Sequence, residues 1–181
     1  MLRKALYFLA LLVLFGCGAK KKRTYSKTRT VTVEASKEEP VVPEEPSRKE
    51  KRKNLKAESV VETAMAFSGT RYRFGGTTKK GMDCSGLVFV SLQENDIEFP
   101  RVSYQMAERG KRIKVKQVQK GDLLFFKTGK NRKRINHVGL VVDVKGDDIK
   151  FIHSTSSRGV IVSSLREGYW NYAFVRATRI L

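Results

Sequence analysis

Asp83-Cys84-Ser85-Gly86 runs directly into Leu87-Val88-Phe89-Val90, and this junction constrains the fold more than any other stretch. A turn-forming acid, a thiol and two small residues ahead of an apolar run place Cys84 at or just before the start of a buried helix. Unpaired backbone N–H groups and the positive end of the helix dipole favour a thiolate there, so the sequence predicts a lowered thiol pKa. The chain has only two cysteines and two histidines. Cys84, His137 and His153 are therefore read as one site that the rest of the chain presents.

A length of 181 residues allows one domain with a real core and some additional chain. Lys and Arg number 37 against 18 Asp and Glu, a formal charge of +19 that points to an anionic partner. Nucleic acid, an anionic membrane and an acidic polymer all fit that charge, and compartment decides among them. Arg3 and Lys4 precede a short apolar run over 6–15, too short to span a bilayer, which reads as an export signal covering residues 1–16. Leu14-Phe15-Gly16-Cys17 resembles the lipobox of bacterial lipoproteins, which implies cleavage before Cys17 and lipid attached to it. The alternative is an ordinary signal peptide with an unmodified thiol. With Cys17 lipidated, Cys84 is the lone thiol of an exported chain and has no disulfide partner. It is then either a reactive group or a small buried hydrophobe. Export, and the absence of a recognition motif, argue against nucleic acid.

Residues 17–57 mix charges of both signs with prolines and almost no aromatics, and read as a disordered basic tether. The folded domain is placed at 58–181. Val60, Val61, Ala64 and Phe67 recur at helical spacing and Gly69 offers a stop. A second helix over 84–93 is apolar on most sides and so central, and a third, short one is expected over 103–109. Runs of β-branched and aromatic residues at 122–127, 137–143, 149–153, 160–163 and 172–179 then read as strands. Helices first and strands afterwards give an α+β fold, with N-terminal helices packed on a mainly antiparallel sheet of five to six strands.

The strands bearing His137 and His153 flank Lys145-Gly146-Asp147-Asp148, a good hairpin turn. A three-residue loop would set Gly139 opposite His153, and a five-residue loop would set His137 itself there. Either register makes the imidazoles direct or diagonal neighbours on one face, whereas a slip of one residue would part them. His137 then suits a general base for Cys84, and His153 suits the group that fixes its tautomer. Zinc fits poorly, because no close-spaced ligand pair exists.

Gly69-Thr70-Arg71-Tyr72-Arg73-Phe74-Gly75-Gly76, Gly81-Met82-Asp83-Cys84-Ser85-Gly86, Gly121-Asp122-Leu123, Asn136-His137-Val138-Gly139 and Ile152-His153-Ser154 resemble, in order, the motifs of the NlpC-type cell-wall peptidases. The resemblance covers residues 58–181 and implies a papain-like cysteine peptidase without metal or organic cofactor. Its substrate would be peptidoglycan, cut between D-glutamate and a diamino acid or at the D-alanyl–diaminopimelate cross-link. Cys84 would be the nucleophile, His137 the base and His153 its orienter. Tyr72 would lie beside the oxyanion, and Asp83 and Ser85 near the substrate's amine. A packing aromatic at Tyr72 and a helix N-cap at Asp83 are the alternatives. The expected setting is a monomer held by lipid at Cys17 on the periplasmic face of the outer membrane. Arg101, Arg109, Lys111, Arg112, Lys114, Lys116 and the 130–134 run would face an acidic wall polymer or anionic lipid, or simply be solvated loop. Rival functions are a non-catalytic peptidoglycan-binding lipoprotein and an amidase cutting between sugar and L-alanine.

Overall fold

A computed structural model describes residues 47–129 and 133–181. The chain divides into two units, Met1–Pro43 and Glu44–Leu181, and every described residue lies in the second. Cys17, the export signal and most of the expected tether lie outside the described residues. Among the described residues, no helix is long and apolar enough to cross a membrane.

Helix α1, Arg48–Met65, begins well before 58, so the tether does not extend to 57 as expected. The cause is local. Ser47 and Glu50 form a capping box, each side chain accepting the other's backbone N–H, at 3.3 Å and 3.1 Å. Lys, Arg and Glu are strong helix formers, so the charged segment extends the helix although it buries nothing. Only Ala57, Val60, Val61 and Ala64 of α1 are buried. A short ribbon of β1 (Thr77–Thr78) and β2 (Gly81–Met82) leads into α2, Cys84–Gln93. A four-residue helix, α3 (Ser103–Met106), follows and is shorter than expected.

Six strands make the main sheet: β3 (Lys111–Ile113), β4 (Leu123–Phe126), β5 (His137–Lys145), β6 (Asp148–Thr155), β7 (Gly159–Ser164) and β8 (Phe174–Arg179). Their order is β3-β8-β4-β5-β6-β7, and every pairing is antiparallel. One core joins α1 and α2 to the sheet through Val60, Val61, Leu87, Val88, Leu140 and Ile152. A second core holds Leu124, Phe126, Phe151 and Trp170. Trp170 lies on α4, Gly168–Ala173, a helix the sequence did not reveal; the last strand accordingly starts at Phe174 rather than 172.

The β5–β6 hairpin reaches its register by an unexpected route. The turn is the two-residue Gly146-Asp147, with Lys145 opposite Asp148 and Gly146 at φ 57, where glycine is favoured. Continued regularly, that ladder would put His153 opposite Leu140 and send His137 to the other face. A bulge between Val141 and Asp143 prevents this, leaving Val141 opposite Phe151 and Leu140 opposite Ile152. Continuing that pairing sets Gly139 opposite His153, so the imidazoles are diagonal neighbours.

Candidate active site

Cys84 occupies the first turn of α2, held by Asp83 as N-cap, whose Oδ1 accepts the Gly86 N–H at 2.6 Å. Gly86 itself is required by space, since a Cβ there would run into the Gly76 carbonyl. The glycine-rich turn is thereby pressed against the start of the helix. Asp83 Oδ2 accepts the Gly75 N–H at 2.8 Å, tying the same two segments together. The Cys84 thiol points toward the Asn136 carbonyl, with Sγ 4.0 Å from the oxygen. Asn136 immediately precedes His137 on β5, so the end of that strand meets the start of α2.

A polar relay crosses three adjacent strands. His137 Nε2 lies 2.8 Å from His153 Nδ1, and His153 Nε2 lies 3.1 Å from Ser163 Oγ. His153 pairs with Ile161 and Phe151 with Ser163, so Ser163 is a diagonal neighbour of His153 just as His137 is. With Nε2 engaged by His153, Nδ1 is the remaining ring nitrogen of His137. Cys84, His137 and Tyr72 line one arm of a surface cleft. His153 is fully buried behind them and is not on the cleft wall.

Trp170 clamps both rings. Its indole stacks on His137, with centroids 5.2 Å apart and planes 22° apart, and meets His153 edge-on at 4.4 Å. Burial pushes the His137 pKa down to about 4, against a smaller opposing pull from the Asp83 carboxylate. Burial, then the neighbouring charges of His137 and Arg158, lowers His153 to about 2. The thiol does not follow the expectation of a lowered pKa. Burial pushes it up to about 11; the N–H groups of Val138, Ser85 and Cys84 pull it back, and Asp83 raises it further. Desolvation outweighs the helix terminus, because a thiolate there would be almost wholly removed from water. Thiol and imidazole therefore rest as a neutral pair. Tyr72, raised by burial and then by Cys84 and Asp83, keeps its hydroxyl proton.

The second arm of the cleft holds Asp83, Ser85 and Arg101 beside Tyr72 and Cys84. Arg101 Nη1 donates to Ser85 Oγ at 2.8 Å and lies 3.1 Å from Asp83 Oδ1, and Nη2 donates to Asp83 Oδ2 at 3.1 Å. Asp83 is thus an N-cap and the hub of a local network. Arg101, expected on a free basic surface, is committed to that network. Among the described residues no group of three or more His, Cys, Asp and Glu side chains is placed to hold a metal ion.

The family model described as NlpC/P60 matches residues 69–179, a span that contains all of these groups. The chain belongs to the NlpC/P60 family. Murein DD-endopeptidase MepS/Murein LD-carboxypeptidase of Escherichia coli (strain K12) is 40% identical over 116 residues, 64% of this chain and 58% of that protein. Probable endopeptidase NlpC of the same strain is also 40% identical over 116 residues, covering 64% of this chain and 72% of that one. A crystal structure of an NlpC/P60 family protein from Bacillus cereus superposes with a TM-score of 0.63 at 28% identity, over 69% of this chain and 40% of that chain. The match therefore spans little more than half the length of the murein endopeptidase. The papain-like α+β architecture expected from the sequence is the fold of this NlpC/P60 domain.

Sequence reasoning did not identify Trp170 or Ser163. Trp170 is the only tryptophan in the chain, a signal that was present. Ser163 carries no such mark, because a serine on a strand usually faces solvent.

Proposed function

We propose that this chain is a cysteine endopeptidase of the bacterial envelope that hydrolyses peptidoglycan, with Cys84 as nucleophile, His137 as general base and His153 as the residue that orients it. The observation that carries this reading is the 2.8 Å His137 Nε2–His153 Nδ1 contact behind a cleft lined by Cys84 and His137. The thiol proton passes to His137 Nδ1 as sulfur attacks the peptide carbonyl. The Cys84 backbone N–H and the protonated Tyr72 hydroxyl suit the oxyanion that forms. His137 then returns the proton to the leaving amine, and water releases the acyl group from sulfur. The relative named as a murein DD-endopeptidase supports the D-alanyl–diaminopimelate cross-link as the bond cut. Lipid at Cys17 and attachment to the envelope rest on the lipobox-like Leu14-Phe15-Gly16-Cys17.

Mass spectrometry of muropeptides incubated with the full chain tests the reading. A cross-linked dimer should yield two monomers, and Cys84→Ala should yield none. A cleaved stem instead of a cleaved cross-link would reassign the bond, and a freed whole peptide would make the chain an amidase. An untouched substrate beside folded, reduced protein would support a binding role instead.

A further inference from the structure

We propose that Ser163 is a positioning residue that holds the proton of His153 on Nε2 and thereby keeps His137 in the tautomer able to accept the thiol proton. The proposal deepens the peptidase reading and rests on it for its kinetic consequence. Two proton arrangements satisfy the relay. In the first, His137 Nε2–H donates to His153 Nδ1, and His153 Nε2–H donates to Ser163 Oγ across the observed 2.8 Å and 3.1 Å. His137, which lines the cleft, then carries a lone pair on Nδ1. In the second, the Ser163 hydroxyl donates to His153 Nε2, and His153 Nδ1–H donates to His137 Nε2. His137 Nδ1 then bears hydrogen and cannot take a proton from sulfur.

Only the first arrangement survives the reaction. Once His137 has accepted the thiol proton it holds hydrogen on both nitrogens, so its Nε2–H needs an unprotonated Nδ1 on His153. Neutral His153 must then carry its hydrogen on Nε2, inside a site with no exposure to solvent. A buried N–H without an acceptor is expensive, and the Oγ of Ser163, a residue only 4% exposed, is the acceptor in place. No proton is created or consumed. One moves from sulfur to His137 and on to the leaving amine, while those on His153 and Ser163 stay where they are.

The test is long-range proton–nitrogen NMR of the two imidazoles in the ¹⁵N-labelled full chain, beside kinetics on a cross-linked muropeptide. The chain has only two histidines, so assignment is direct. Both rings should be protonated on Nε2 in the wild type. Ser163→Val fills the space without a hydroxyl, and should move both rings to Nδ1–H and lower kcat roughly 10- to 100-fold with KM little changed. Ser163→Thr restores the hydroxyl and should restore tautomers and rate together. A wild-type His153 protonated on Nδ1 would overturn the proposal, as would Ser163→Val that leaves both tautomers in place, whatever its activity. The spectra need no substrate, so a failure of the peptidase reading shows separately, as a wild type that cleaves nothing.

Discussion

Cys84 and His137 are both kept uncharged by burial, which raises the thiol to about 11 and lowers the imidazole to about 4. If Cys84 and His137 act as proposed, the reactive form is therefore the neutral pair, present between those two values. Protonating His137 removes the base, so kcat/KM on a soluble muropeptide should fall only as pH drops through about 4. It should stay flat through neutrality and decline toward about 11. An acid limb near the ordinary 6.5 would mean that substrate meets a hydrated imidazole. Trp170, stacked on His137, shields one face of the ring from water. Trp170→Ala should raise the His137 pKa toward 6.5 and carry the acid limb upward with it. The same change should cost about 3–5 kcal/mol of stability by denaturant unfolding, since a 6%-exposed indole is lost from the second core. An unmoved limb would assign the dryness of the site to other side chains.

At the level of elements, α2 carries Cys84, the proposed nucleophile, and is held by its apolar faces. Leu87 is fully buried between α1 and the sheet, so Leu87→Ala should cost about 2–5 kcal/mol in chemical denaturation. These elements also mark what could be read from sequence. The start of α2 was legible because an N-cap, a thiol and an apolar run lie within a few residues. The charged half of α1 was not, because its Lys, Arg and Glu serve a solvated helix as well as a tether; Ser47 and Glu50, three apart, were the missed signal. The bulge at Val142 was invisible, since the β-branched pair Val141-Val142 gives no hint of which residue drops out of the ladder. Tyr169-Trp170-Asn171-Tyr172 has the aromatic content of a strand, which hid α4.

For the molecule as a whole, the +19 charge bears on how the cleft meets an extended substrate. Arg109, Lys111, Arg112, Lys114 and Lys116 are all exposed. Attraction between such groups and an anionic wall is screened within about 10 Å at 0.1 M salt and about 3 Å at 1 M. Raising salt should therefore slow digestion of intact sacculi several-fold while changing turnover of a short soluble muropeptide much less. Equal responses would show that the basic surface plays no part in reaching the wall. In the proposed reaction Cys84 is acylated by a wall peptide under control of the histidine pair. Intact-protein mass spectrometry of an acid-quenched reaction with a cross-linked muropeptide tests it most directly. The expected product is a thioester adduct with the mass of the acyl-donor peptide, mapped to Cys84, absent from Cys84→Ala and strongly reduced in His137→Ala. Cross-link cleavage that persists in Cys84→Ala would contradict it.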